Sequence, residues 1–313
     1  MKKAAVIALL FLLPFLDPNP YHIEIFSAAA LNVLLALGLH LIVGCAGLLH
    51  LGYAAFFAIG AYTYGLLNLS YHCPFWLGLP LSAVTAGIFG VVLGLPAMRV
   101  RGDYLAIVTL GFGEIVRIVV TNLEIWTGGP NGLLGIHHPT LGFYNFGVES
   151  RPYYWLLLVL VVLTTWVSRR LIRSRIGLAW AAIREDELAA RCLGIDASRL
   201  KLLALGLGGA IAGIAGSVFA SKQGTITPDS FDFIFSVMIL AAVILGGLGS
   251  VSGVLVGAVV LTVLPELLRS FSSYRMILFG ALLIVLMRYR PQGLLGLSQI
   301  RRQLKVKNAS SAG

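Results

Sequence analysis

The stretch Leu200-Lys-Leu-Leu-Ala-Leu-Gly-Leu-Gly-Gly-Ala-Ile-Ala-Gly-Ile-Ala-Gly-Ser-Val-Phe-Ala220 carries one charge, Lys201, near its start and none after it. Coiled as a helix at about 1.5 Å per residue, it is close to the ~30 Å of a bilayer's hydrocarbon core. It is too long for a spanning strand and lacks the in/out alternation that a barrel strand needs. Its glycines, Gly206, Gly208, Gly209, Gly213 and Gly216, permit either close helix packing or a change of shape.

Nine more apolar segments resemble it: 4–16, 24–44, 48–69, 75–97, 104–120, 153–168, 233–248, 251–266 and 274–290. The composition agrees. The 313 residues are 58% hydrophobic and only 12% charged, against about a quarter charged in a soluble domain. Soluble globular, disordered and disulfide-scaffold classes are excluded. The expected fold is all-α: a polytopic membrane helical bundle of about ten transmembrane helices with both termini cytoplasmic. Cys45, Cys73 and Cys192 share no metal-ligand spacing. Ala4–Leu16 is the shortest segment and follows Lys2 and Lys3, so it also resembles a signal peptide; no A-x-A cleavage site follows, and it reads as a retained helix.

Orientation follows from the lysines and arginines. With ten spans and both ends inside, all but five of the 23 fall on the inner side; the exceptions are Arg117, Arg151, Lys222, Arg269 and Arg275. This is the positive-inside pattern, and it accounts for the +10 net charge without nucleic acid. It leaves an outside loop at 121–152, a cytoplasmic loop at 169–199 and a basic tail. Residues 1–297 read as one permease domain and 298–313 as a polar basic C-terminal tail. The links Gly44–Gly47 and Gly246–Gly253 are glycine-rich, which suits broken or re-entrant helices as well as plain turns.

Enzyme motifs are missing: the sequence has no H-E-x-x-H, no G-x-S-x-G and no Walker A run. Gly128-Gly-Pro-Asn-Gly132 lacks a lysine and reads as a turn cluster. No cofactor or metal is expected on this chain, and His137-His138 is poor geometry for one ion. The polar residues at membrane depth are few. Asn32, His40, His50, Tyr53 and Glu114 are the transport-path candidates, although hydrogen bonding between helices is the simpler role for most of them. Glu114 and Arg117 stand three apart and neutralise each other on one helix face.

The cytoplasmic loop is the most informative soluble stretch. Gly177-Leu-Ala-Trp-Ala-Ala-Ile-Arg-Glu-Asp-Glu-Leu-Ala-Ala-Arg-Cys-Leu-Gly194 predicts one short mixed-charge helix that ends at Gly194, with Asp196 capping the next helix. Arg184 and Glu187 stand three apart, and Glu187 and Arg191 four apart in the favourable order. The pattern suits a simple surface link or a polar docking surface, with Trp180, Ile183 and Leu188 as apolar anchors.

Six runs then fall into a known pattern. Leu34–Tyr62 (LLALGLHLIVGCAGLLHLGYAAFFAIGAY), Arg99–Arg117 (RVRGDYLAIVTLGFGEIVR), Thr127-Gly-Gly-Pro-Asn-Gly132, Ala182-Ile-Arg-Glu-Asp-Glu187, Leu245-Gly-Gly-Leu-Gly-Ser250 and Arg290-Pro-Gln-Gly-Leu-Leu295 resemble, in order, the branched-chain amino acid ABC permeases, more closely the M-type than the H-type subunit. The resemblance implies a bacterial or archaeal inner-membrane importer with a second homologous permease. Two cytoplasmic ATPases would bind ATP-Mg, and a periplasmic or lipid-anchored binding protein would deliver substrate. It places Arg184, Glu185, Asp186, Glu187 and Arg191 where the ATPase couples. Tyr53 stands where His is more common in the family, His40 where Asn is, and His50 where Ser is. A urea or short-amide permease of the same superfamily and an ATP-independent secondary transporter remain the alternative readings.

Overall fold

The computed structural model describes residues 19–98, 100, 103–141, 144–147 and 149–267, with Phe11, Pro14, Gly280 and Arg288. Apart from those four residues, the segments expected at 4–16 and 274–290, and the tail 298–313, lie outside the described residues.

Among the described residues the regular structure is helical apart from four two-residue strands. Helix α1 (Pro20–Leu39) starts at an Asn19 cap and runs on as a π-helical turn, His40–Cys45. Then come α2 (Tyr53–Tyr71), α3 (Phe75–Ala97) and α4 (Asp103–Asn122). A loop follows with the short helix α5 (Glu124–Thr127), a 3-10 turn at Gly129–Asn131, and strands β1 (Leu133–Leu134), β2 (Thr140–Leu141) and β3 (Tyr144–Asn145). After it come α6 (Ser150–Ile172), α7 (Arg175–Glu185), α8 (Glu187–Cys192) and α9 (Ala197–Gln223). Strand β4 (Thr225–Ile226), a 3-10 turn at Pro228–Phe231, α10 (Phe233–Gly246) and α11 (Val251–Leu267) complete the order. Among the described residues, six helices, α1 with its π-helical turn, α3, α4, α6, α9 and α10 with the preceding 3-10 turn, are long and apolar enough to cross a membrane. Large apolar side chains lie exposed along them, among them Val84, Ile88 and Leu95 of α3 and Ile107, Ile115 and Ile118 of α4. That outward apolar surface is what a bilayer or a partner subunit covers.

Helix α9 is central, packing on α1, α2 and α3. The glycines make this possible. A Cβ on Gly213 would collide with the carbonyl oxygen of Ser82 in α3, and one on Gly60 of α2 would collide with the backbone of Gly213. Of the two roles open to the glycine-rich span, close packing is the one seen.

Contacts sort into two ends. At one, β1 pairs antiparallel with β4, Leu133 opposite Ile226, and Asn68 at the end of α2 accepts from the backbone N–H of His137 at 2.8 Å. The Tyr21 hydroxyl bonds Glu266 there, and Glu24 is held by Ser150 and Lys222. At the other end, Arg184 donates to the carbonyl of Gly44 at 2.6 Å and Arg169 reaches Ser252 at 3.2 Å. This is the alternation that antiparallel spans require.

The segment expected at 48–69 is shorter than its apolar run. Helix α2 starts only at Tyr53, and residues 46–52 are not helical. Gly47 has φ +72°, a conformation that ends the preceding helix and suits glycine alone without strain. The Tyr53 hydroxyl donates to the carbonyl of Gly208 at 2.9 Å. Gly208 lies eleven residues beyond the start of α9, about 16 Å along its axis at 1.5 Å per residue. The non-helical link therefore re-enters the bundle to well inside its depth.

Gly213→Val should lower the thermal midpoint of the detergent-solubilised protein, because overpacking at this backbone contact costs about 1–3 kcal/mol. Gly111→Ala, where a Cβ meets nothing within 4 Å, should leave the midpoint unchanged or raise it. Thermal unfolding followed by circular dichroism compares the two.

Candidate functional site

The loop between α6 and α9 forms two helices rather than one. Asp186 interrupts the run with φ −153° and ψ 109°, and its carboxylate accepts from the N–H groups of Leu188 and Ala189 at 2.9 and 3.1 Å. An aspartate that can satisfy two free N–H groups starts a helix more readily than it continues one. The remaining expectations for the loop are met at its far end. Gly194 has φ +80°, and Asp196 accepts from the N–H of Arg199 at 3.1 Å at the head of α9.

The loop's charges divide into two sets. Glu187 bonds Arg191 and Lys201, each at 2.7 Å, and so pins α8 to α9. Partial burial alone would raise the pKa of its carboxyl; the hydrogen bonds and charges of Lys201 and Arg191 outweigh this and hold it below the usual glutamate range. Glu185 is exposed, its side chain 81% accessible, and Arg191 is half-exposed. Of the expected apolar anchors, Trp180 and Ile183 are buried in the protein's own core, and Trp180 Nε1 donates to the carbonyl of Leu200 at 2.8 Å. Leu188 alone of the three is exposed.

Arg184 does not pair with Glu187, three residues on. It turns inward, donating to the carbonyl of Gly44 at the end of the π-helical turn, and its Cγ packs against Gly47. Its other amino group stands 3.9 Å from Glu185. This side chain joins the two-helix loop to the segment that re-enters the bundle.

That segment carries non-helical backbone into the bundle, where unmet N–H groups are costly. Its donors are met. Leu48 N–H bonds the carbonyl of Ile42 at 3.1 Å, Leu51 N–H the Thr109 hydroxyl of α4 at 3.0 Å, and Ala54 N–H the Ser236 hydroxyl of α10 at 2.9 Å. Thr109 and Ser236 hold the segment, yet nothing in the sequence singled them out: a threonine and a serine in apolar helices look alike until their partners, 58 and 182 residues away, are known.

The five transport-path candidates lie in different surroundings. Asn32 donates to the Thr262 hydroxyl at 2.9 Å and ties α1 to α11. His40 is buried in the π-helical turn against Gly44. His50 is fully buried between Tyr53 and Phe56, with ring centroids 6.2 and 5.2 Å away. Tyr53 is buried too, its hydroxyl engaged with Gly208. Glu114 accepts from Arg117 Nε at 3.0 Å on the half-exposed face of α4. The structure brings His50 and Tyr53 together and leaves the other three apart. Among the described residues, no cluster of three or more His, Cys, Asp or Glu side chains could hold a metal ion.

Residues 21–287 match the family model described as the branched-chain amino acid transport system / permease component. The chain is 45% identical to the high-affinity branched-chain amino acid transport system permease protein LivM of Escherichia coli K12, a match covering 93% of this chain and 73% of that protein. The Salmonella typhimurium LivM is 46% identical over the same shares. More distantly, the chain is 29% identical to a probable branched-chain amino acid transport permease protein LivM of Methanocaldococcus jannaschii, over 69% of this chain and 68% of that one. No solved structure matches the chain. With nearly its whole length matched and its re-entrant, glycine-packed bundle built on the matched residues, the chain belongs to the branched-chain amino acid transport permease family.

Proposed function

We propose that the chain is a membrane-spanning permease subunit of an ABC importer that moves branched-chain or other hydrophobic amino acids into the cytoplasm. The observation that carries this reading is the family match over residues 21–287, together with 45% identity to the E. coli LivM permease. In this reading the described helices and the segments 4–16 and 274–290 make about ten spans in one permease domain, with both termini cytoplasmic and the protein in a bacterial or archaeal inner membrane. The chain is not itself an enzyme. ATP-Mg is bound and hydrolysed by two separate cytoplasmic ATPases. A second homologous permease completes the pathway, and a periplasmic or lipid-anchored binding protein supplies substrate near the loop 121–152.

The two helices α7 and α8 form the coupling surface. Glu185, Leu188 and Arg191 face outward for the ATPase. Asp186 and Glu187 fix the shape of the surface, the first by capping α8 and the second by pinning it to α9. Arg184 is the inward strut. When nucleotide draws the ATPases together, α7 shifts, and Arg184 carries the shift to Gly44 and the re-entrant segment. The spans then rock as rigid bodies and the passage changes the side it faces.

Two outcomes are expected. Affinity purification of the tagged chain from its native membrane should recover two ATPases and a second permease, identified by mass spectrometry; recovery of the chain alone would contradict the assignment. Arg184→Ala should keep the ATPases bound but lower amino acid uptake per ATP hydrolysed by roughly tenfold, the scale of a lost hydrogen bond from a charged donor. Unchanged uptake per ATP would remove Arg184 from the coupling path.

A further inference from the structure

The junction of α6 and α7 carries four arginines, Arg169, Arg170, Arg173 and Arg175. Among the described residues, none of the four has a carboxylate partner. The other cations of the same loop do. Arg184, Arg191, Arg199 and Lys201 each stand within ion-pair distance of Glu185, Glu187 or Asp196. Asp186 is occupied in capping α8. The loop's acids are thus engaged elsewhere, and the junction keeps its positive charge. Arg170, Arg173 and Arg175 are exposed.

Two contacts hold this charge against the span instead of extending it into the cytoplasm. The guanidinium carbon of Arg170 lies 5.7 Å from the centre of the Trp166 ring, one turn back along α6, within the range of a cation–π contact. Arg169 reaches sideways to the Ser252 hydroxyl at the head of α11, at 3.2 Å. An apolar strip leads up to these groups. Val159, Leu163, Trp166 and Arg170 stand three or four residues apart, so they share one helix face. The first three are 50%, 53% and 58% exposed. On α11, Val256 and Val259 continue the face of Ser252 and are exposed as well. From Val159 to Arg170 is eleven residues, about 16 Å of helix, or half of a ~30 Å hydrocarbon core. Beyond Val159, at Leu156 and Trp155, the same face is half-buried. The exposed strip therefore has the depth of one leaflet and is headed by guanidinium groups.

A soluble acidic partner would meet the charge and leave the strip bare. A lipid without net charge would cover the strip and leave the arginines uncompensated. A lipid with an anionic phosphate head satisfies both, and guanidinium groups match phosphate oxygens through paired N–H donors. We propose that the ends of α6 and α11 beside this junction form a binding site for an anionic phospholipid. Its phosphodiester lies on Arg169, Arg170 and Arg173, and an acyl chain runs along Val159, Leu163 and Val256. The site lies in the inner leaflet in the orientation proposed above; the site itself requires only that the chain spans a bilayer. The lipid anchors the entry to α7, the helix whose other end carries Arg184.

The test uses the full chain with its co-purifying subunits in phosphatidylcholine vesicles. A trace of phosphatidylglycerol with a diazirine on one acyl chain is included, and photolabelled peptides are mapped by mass spectrometry. Label should concentrate on Val159–Val167 and Val256–Val259. Unlabelled phosphatidylglycerol should displace it, and a diazirine phosphatidylcholine probe should show no such preference. An arginine near an anionic lipid head is worth about fivefold in affinity. Arg170→Gln with Arg173→Gln should therefore raise the phosphatidylglycerol needed for half-displacement by roughly twentyfold, while the corresponding lysine pair should keep most of the affinity. Arg199→Gln, at an exposed arginine already paired with Asp196, should change nothing. Equal labelling of these peptides by both probes in the unmodified complex would overturn the site, and this comparison needs no variant to fold. Loss of the ATPases from the glutamine pair with labelling unchanged would also overturn it, by giving the arginines to a protein partner. Labelling does not depend on transport, so amino acid uptake measured on the same vesicles tests the importer reading separately.

Discussion

The close approach of α9 to its neighbours is the constraint on which this molecule depends. In lipid the hydrophobic effect does not press apolar helices together; association comes from van der Waals contact and hydrogen bonds across the interface. Both grow when backbones come near. Gly213 lies against Ser82 of α3 and Gly60 of α2, and Gly216 lies against the carbonyl of Phe57. A side chain at any of these points would force the helices apart. It would also separate the Tyr53 hydroxyl from the carbonyl of Gly208, and with it the anchor at the head of α2.

That anchor matters because of what precedes it. Residues 46–52 bring polar backbone into the bundle, which is tolerable only where protein groups meet the N–H donors. Thr109 accepts from Leu51 within it, and Ser236 from Ala54 in the first turn of α2. The segment is thus fastened at its inner end by α4, α9 and α10 and at its outer end by Arg184 of α7. A shift of α7 relative to the bundle reaches the packed interior through this route, without any helix having to bend.

Much of this was legible in the residues. Apolar runs placed α1–α4, α6 and α9–α11 to within about five residues, because long apolar stretches admit few structures in a membrane. Gly128–Gly132 was readable as turns, and Glu187–Arg191 and the Asp196 cap followed from local spacing. The misreadings came where a local rule met a competing one. Good helix formers flank Asp186, yet its side chain does more for the backbone as a cap than as a helix interior residue. Arg184 satisfies the i, i+3 rule with Glu187 but takes a carbonyl from a segment 140 residues away. Spacing cannot show which face of a short helix is inward; for the same reason Trp180 and Ile183 looked like anchors for a partner. The start of α2 at Tyr53 was hidden because Ala46–Gly52 is as apolar as the helices around it.

The most direct measurement of the central claim is uptake of labelled leucine by proteoliposomes holding this chain with its co-purifying permease, ATPases and binding protein. The account predicts accumulation that requires ATP-Mg on the ATPase side and the binding protein on the other, and that survives collapse of the ion gradients. Uptake by the chain without ATP, driven by an ion gradient and abolished when that gradient is dissipated, would contradict it.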